Sequence, residues 1–181
     1  ETVMGNAKAA YASAGLSAND YMESVTGFSA SLISGLGGDT GKAAELADKA
    51  IRDMSDNANT YGTDMESIQR TYQGFAKGQF GMLDNLKLGS GGSQAEMARL
   101  INDSGVLGDT MVTAANVSDV SMDKIIEAVH KTQVNMNIAG TTAKEAASTI
   151  SGSLASTKAA WTNVLGAFAS GDDNAINEAL N

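Results

Sequence analysis

His130 is the first residue of the sequence that could take part in chemistry. It is the single histidine among 181 residues, and cysteine is absent. These counts exclude a disulfide framework, thiolate metal sites, a cysteine nucleophile and any site that needs two imidazoles. The nearest acid at helical spacing is Glu127, and no HExxH pattern surrounds the histidine. We therefore expect a partly buried, hydrogen-bonded histidine at the edge of an apolar helical stripe, and neither a general base nor a metal ligand.

A glycine-rich stretch at residues 35–42 superficially looks like a phosphate-binding loop. A Walker A motif requires glycine at the position of Leu36, and serine or threonine at the position of Ala43. The stretch also follows a helical pattern and not a strand. It therefore predicts the end of one helix and the start of the next.

Several carboxylates lie in the first turns of predicted helices, where a negative charge complements the helix dipole. They are Asp39, Asp64, Glu66, Glu96, Asp123 and Glu145, and Asp172 and Asp173 open the tail segment in the same way. This placement indicates a structural role before a catalytic one. We assign no catalytic, cofactor-binding or metal-binding residue, and we expect no cofactor.

The composition behind these residues is typical of an all-α protein. Proline is absent, although about nine would be expected at average usage, and 20 glycines can separate helices. No segment alternates convincingly with period two. Start signals followed by apolar residues at spacings of three and four lie at Ser17, at Asp39 or Thr40, and at Thr63, Ser93, Ser121 and Thr142. Short amphipathic segments need each other to bury their apolar faces, so we expect helical hairpins or a bundle and not a rod.

The most regular pattern predicts a long C-terminal helix at about residues 142–169. Its apolar positions alternate at spacings of four and three from Ala143 to Phe168, with Trp161 among them. The pattern fits a bundle helix packed on its own domain, and it also fits a seam through which copies self-associate. Residues 88–93 have the composition of a connector, either a hinge between two helical halves or a loop. We expect one all-α segment over residues 1–181.

Charge and hydropathy narrow the classes of partner. The net charge is −9, and both halves of the chain are acidic, so we expect no specific binding to nucleic acid. No run of 18 apolar residues occurs, which argues against a membrane span. The chain begins with Glu1 and no leader pattern follows, so we expect a segment of a longer protein.

Several stretches resemble the core region of bacteriophage tail tape measure proteins. In chain order they are GLSANDYM (15–22), MSDNAN (54–59), SIQ (67–69), YQGFAK (72–77), LDNLKLG (83–89), AGTTAKEA (139–146) and STKAAWTNVL (156–165). Together they span about Leu16 to Phe168, which is most of the chain. At Ser90 the family pattern has an aromatic residue, so the connector departs from the family there.

The resemblance implies a long, largely helical protein that is threaded through the lumen of a growing siphophage-type tail. Such a protein sets tail length and leaves ahead of the DNA at ejection. The implied partners are tail-tube proteins, tail assembly chaperones and baseplate hub proteins. Assembly in the bacterial host cytoplasm and a final place in the virion are also implied, and no catalytic residues are carried over.

Two alternative functions remain open. The chain could be a generic α-helical interaction or oligomerisation module. It could also be a tail-associated cell-wall-degrading domain, which would need a pair of acids in a cleft.

Overall fold

Residues 2–149 are described by a computed structural model, and the regular structure in this range is entirely helical. Six α-helices have both ends in the range: α1 (Thr2–Ala14), α2 (Ala18–Gly35), α3 (Thr40–Tyr61), α4 (Met65–Phe75), α5 (Gln94–Ser104) and α6 (Met122–Asn135). Short 3₁₀ turns cover Leu83–Leu86 and Val117–Asp119, and residues 141–149 are also helical. The chain divides into a first unit, Glu1–Ala143, and a second unit, Lys144–Asn181. The predicted all-α fold of packed helices is confirmed for the described residues.

The central element of the first unit is α3, which packs against α1, α2, α4 and α6. After the start signal at Asp39 or Thr40, the spacing of four, three and four predicts an apolar face of Ala43, Ala47, Ala50 and Met54, and all four are buried. Between residues 50 and 57 only Arg52 is exposed, so this stretch is surrounded by protein on nearly all sides. Its polar side chains therefore need hydrogen-bond partners inside the protein.

The predicted apolar faces of the other helices also point into the core. Buried members are Tyr21, Val25, Phe28 and Leu32 of α2, Ile68, Tyr72 and Phe75 of α4, Met97, Leu100 and Ile101 of α5, and Met122, Ile125, Ile126 and Val129 of α6. Leu36 and Met65, at helix ends, are partly buried. The three-and-four spacing therefore identified the buried faces, because it follows the helical period.

Three helix starts show the predicted capping. The side chains of Ser17, Asp39 and Ser93 each accept the backbone N–H of the residue three positions later. The start predicted at Thr63 is wrong by one residue, because Asp64 caps α4 and accepts the N–H of Ser67. A carboxylate is the stronger acceptor at the positive end of a helix. Residues 35–42 end α2 and begin α3, as predicted.

No start signal predicted α1. Its buried face consists of Ala7, Ala10 and Ala14, while Met4 and Tyr11 are exposed. Alanine carries little apolar area, so the spacing of three and four is present but faint. The helix was missed because its contacting face lacks large apolar residues.

Residues 88–93 lie inside the first unit, as a loop between the 3₁₀ turn and α5. The Arg99 guanidinium donates to the carbonyl of Gly89 at 3.0 Å, and Glu96 accepts the N–H of Gly91 at 3.2 Å. A Cβ atom on Gly92 would collide with the carbonyl oxygen of Gly81. The loop is therefore fastened to α5 by two charged side chains and packed where only glycine fits.

The predicted C-terminal helix at 142–169 lies mostly outside the described residues. Residues 142–149 are helical, while 150–169, including Trp161, lie outside. Packing on its own domain and self-association therefore both remain predictions. Among the helices of the described range, none is long and apolar enough to cross a membrane.

Candidate functional site

Four carboxylates of α3 line one cleft of the first unit, and all of them except the exposed Glu45 are buried. Asp48, Asp53 and Asp56 are all buried, and the cleft that they share with residues of α1, α6 and the segment 139–143 has a volume of ≈ 360 Å³. Buried charges are costly unless they are paired or hydrogen-bonded. The partners of these three side chains therefore determine what the cleft can do.

Asp48 ties α3 to α2. Its Oδ1 accepts the hydroxyl of Tyr21 at 2.8 Å, and its Oδ2 lies 2.6 Å from Nη2 of Arg52 in the next turn of the same helix. Burial, followed by the hydrogen bond to the Asp48 carboxylate, raises the pKa of the Tyr21 hydroxyl. The phenol therefore remains a proton donor to Asp48.

Asp53 ties α3 to α6 through His130. The imidazole Nδ1 lies 2.8 Å from Oδ1 and 3.1 Å from Oδ2 of a carboxylate that is only 2% exposed. Burial raises the pKa of Asp53, the contact with His130 opposes this, and the charge of Asp56 adds to it. Burial is the largest of these effects, so His130 only partly offsets the cost of the buried charge.

His130 is partly buried and hydrogen-bonded, as predicted, with 32% of its side chain exposed. Its partner differs from the acid considered in the sequence. Glu127 instead lies 2.9 Å from Nζ of Lys124 on the same helix. The actual partner, Asp53, comes from a helix 77 residues earlier in the chain.

Asp56 holds the start of the helix at 141–149. Its Oδ2 accepts the backbone N–H of Gly140 at 2.6 Å, and its Oδ1 accepts that of Thr142 at 2.8 Å. The Thr141 hydroxyl lies 3.4 Å from the same carboxylate. The first N–H groups of a helix lack partners within the helix. Asp56 therefore supplies the cap from a different helix.

The start signal predicted at Thr142 is wrong for this reason. Thr142 already lies inside the helix, and its buried hydroxyl has no partner among the described residues. The acceptor comes instead from Asp56, 86 residues earlier. A carboxylate offers a separate charged oxygen to each of the two free N–H groups, and such charge-assisted bonds are stronger than those to a neutral hydroxyl.

Tyr72 lies on the buried side of this cluster. Its hydroxyl is fully buried and has no partner within the described residues. Burial, with a further contribution from the charge of Asp53, raises the pKa of Tyr72 well above its ordinary value. Tyr72 therefore contributes a neutral phenol to the surroundings of Asp53.

The chemistry open to the cleft is limited by these partners. An imidazole oriented by a carboxylate can act as a base, but it needs a nucleophile or a substrate to act on. The hydroxyl that lines the cleft, on Ser13, donates instead to the carbonyl of Ala9 in its own helix. Within residues 2–149, no group of three or more His, Asp or Glu side chains could hold a metal ion. The side chains of the cleft form polar contacts that join neighbouring helices.

Protein-family models, curated proteins and solved structures show no match to this chain.

The sequence pattern did not reveal the three buried carboxylates of this cleft. One local signal was available, because Asn57 continues the apolar face of α3 three residues after Met54. Asn57 is fully buried and donates to the carbonyl of Leu86 at 2.7 Å. A polar residue at a position of the apolar face indicates that this part of the helix buries polar side chains. It does not show which residues of other helices are the partners.

Proposed function

We propose that the chain is a segment of a phage tail tape measure protein, and that its first unit is a folded helical module within that protein. In this proposal the segment takes part in tail length determination, tail assembly and DNA ejection. Its partners are tail-tube, assembly-chaperone and baseplate hub proteins. It is assembled in the host cytoplasm and resides in the lumen of the tail.

The observation that carries the proposal is that four of the stretches resembling the family contact one another in the fold. Asn57, in the stretch 54–59, bonds to Leu86 in the stretch 83–89. Asp56, in the same stretch, bonds to Gly140 in the stretch 139–146. A Cβ atom on Gly15 would lie 3.2 Å from the Thr142 side chain, which places the stretch 15–22 beside 139–146. The resemblance therefore covers a set of residues that pack together.

The electrostatics of the chain suit the lumen of a tail. With a net charge of −9, the segment has no electrostatic attraction to the DNA that must later follow it through the tube.

The packed fold favours a module over an extended ruler. As a single helix, residues 2–143 would span roughly 210 Å at about 1.5 Å per residue. The longest helix of the first unit, α3, has 22 residues and spans about 33 Å. We therefore propose that the first unit contributes little to tail length while it remains folded.

We also propose that the segment has no catalytic role. A cell-wall-cleaving site needs one carboxyl group that can donate a proton and a second that is free to act. In the cleft, Asp48, Asp53 and Asp56 each have partners from their own or other helices, so the exposed Glu45 has no second free carboxyl group beside it. Lytic activity of the purified protein on peptidoglycan, abolished by one carboxylate substitution, would overturn this part of the proposal.

An in-frame deletion of residues 2–143 in the phage genome that encodes the chain tests the main proposal. We expect defective assembly or ejection, with tail length changed by far less than roughly 210 Å. Electron microscopy of the tails and a plaque assay provide the two readouts. A matched deletion outside the tail genes controls for the effect of genome shortening.

Two results would contradict the proposal at different levels. Tails shortened by about 1.5 Å per deleted residue would keep the tape measure assignment but show that the unit opens and measures length. Virions of normal length and infectivity would show that the assignment to a tape measure protein is wrong.

A further inference from the structure

The last stretch of the first unit is held on α3 mainly by polar contacts at Asp56. Residues 136–142, here called the strap, run from the end of α6 to the first turn of the helix at 141–149. One strap side chain, Ile138, is buried in the core, while Met136 is exposed. The other strong attachment is polar, through the carboxylate of Asp56.

The backbone of the strap is shaped by two residues in the left-handed region. Asn137 has φ 59° and Gly140 has φ 86°, so the chain turns sharply on both sides of Ile138. Between these turns the N–H of Ile138 donates to the carbonyl of Gln133 at 2.9 Å. The strap is thus one short folded element, held by the buried side chain of Ile138 and by hydrogen bonds to Asp56.

We infer that the strap opens locally, as one element, while the rest of the first unit stays folded. Segments with few buried apolar contacts open at a lower free energy than core helices. The core around Ile51 and Met54 in α3 is fully buried. Release of Asp56 and Ile138 leaves that core intact. The opened residues 136–142 then become part of the covalent connection that leads to Lys144. This inference concerns the protein itself and does not depend on the proposed function.

Amide hydrogen exchange of the full 181-residue chain, followed by NMR, tests the inference without any substitution. We expect the amides of Ile138, Gly140 and Thr142 to exchange faster than those of Ile51 and Met54. We also expect their rates to be nearly independent of low urea concentrations, because local opening exposes little surface. A rate and a urea dependence equal to those of Ile51 would show that the strap opens only with the whole unit, and would overturn the inference.

The substitution Asp56→Asn tests whether the strap opens as one element. A neutral amide is a weaker acceptor than a carboxylate, so the exchange of Gly140 and Thr142 should accelerate by about tenfold. The amide of Ile138 should accelerate with them, although its own acceptor is the carbonyl of Gln133. Acceleration limited to Gly140 and Thr142 would show independent hydrogen bonds, and would overturn the inference.

Asp64→Asn is the matched control. Asp64 caps α4 within its own helix by accepting the N–H of Ser67. Its substitution should accelerate exchange in the first turn of α4 and leave the strap amides unchanged. Acceleration of the strap by this control would mean that the effect is global, which would also contradict local opening.

Discussion

Charged side chains are used in opposite ways by α3 and α5. In α3, Asp48, Asp53 and Asp56 are buried, and each reaches a residue that is 27 or more positions away in sequence. In α5, Arg99 contacts Glu96 at 2.6 Å and Asp103 at 3.5 Å, within one turn on either side and at the surface. The first arrangement joins separate helices, whereas the second serves one helix and its adjoining loop.

The contact between Arg99 and Glu96 on the surface of α5 nevertheless shifts a pKa. The hydrogen bond from Arg99, followed by that from the backbone of Gly91, lowers the pKa of Glu96. Because these side chains are exposed, solvent and salt screen the interaction. A shifted pKa at the surface therefore does not indicate a stabilising contact, whereas loss of a partner of a buried carboxylate leaves a charge without compensation inside the protein.

The largest effect is expected for Asp56→Ala. The substitution leaves the N–H groups of Gly140 and Thr142 without their acceptor, and each bond to a charged group contributes about 1.5–3 kcal/mol. We expect the free energy of unfolding to fall by about 3–5 kcal/mol, measured by urea denaturation of the full chain. A loss below 1 kcal/mol would show that the two bonds of Asp56 contribute little to stability, and would remove the distinction drawn between α3 and α5.

The next largest effect is expected for His130→Ala. The variant leaves Asp53 buried and without its partner, which should cost about 2–3 kcal/mol of unfolding free energy at neutral pH. Asp53→Asn should cost less, because it removes the buried charge and leaves a half-exposed imidazole. The double variant should be more stable than His130→Ala alone. The opposite order would show that the ring, and not the charge pair, stabilises the contact between α3 and α6.

The same pair has a definite pH dependence. The folded pKa of Asp53 is raised, so between its ordinary value and the raised one the folded state binds the proton more tightly than the unfolded state. The contribution of this carboxyl group to stability therefore falls as pH rises through that window. The deficit of His130→Ala, taken as the difference from the wild-type protein at each pH, should shrink as pH falls. A deficit that grows in acid would contradict this sign.

A smaller effect is expected in the loop beside α5. Gly92→Ala places a methyl group against the carbonyl of Gly81, so the backbone must shift, and overpacking of this kind costs about 1–3 kcal/mol. Gly91→Ala is the matched control, because the nearest atom to its Cβ would be Cγ of Glu96 at 3.6 Å. Thermal denaturation of the two variants compares them directly. Equal stability would indicate that the loop adapts without strain.

The smallest effect is expected for Arg99→Ala. Its bonds to Glu96, Ser90 and the carbonyl of Gly89 lie at the surface. We expect a change close to the resolution of a denaturation curve, and smaller still at high salt. A loss comparable to that of Asp56→Ala would abolish the contrast between surface and buried charges.

Fold class and buried faces could be predicted because they repeat locally along the chain. Tyr21, Val25, Phe28 and Leu32, for example, mark a helix by their spacing alone. The start of α3 at Asp39 was predictable for the same reason, since the capping carboxylate and the Lys42 N–H that it accepts lie three residues apart.

The polar ties could not be predicted in this way. Asp53 and His130 are separated by 77 residues and Asp56 and Gly140 by 84, so no local spacing connects them. Even the start of the helix at 141–149 was misread, because its cap lies on another helix. The sequence pattern does not reveal which distant residue each buried carboxylate contacts in the fold.

The distant fastening of the strap also has a kinetic consequence. Helices that follow one another in the chain, such as α2 and α3, can pair by closing a short turn, whereas the bond from Gly140 to Asp56 closes a loop of 84 residues. Contacts between distant residues carry a larger loop-closure entropy, and we expect this one to form after the barrier of folding. With no proline in the chain, no prolyl isomerisation delays refolding. Weakening the fastening should therefore speed unfolding while leaving the folding rate nearly unchanged.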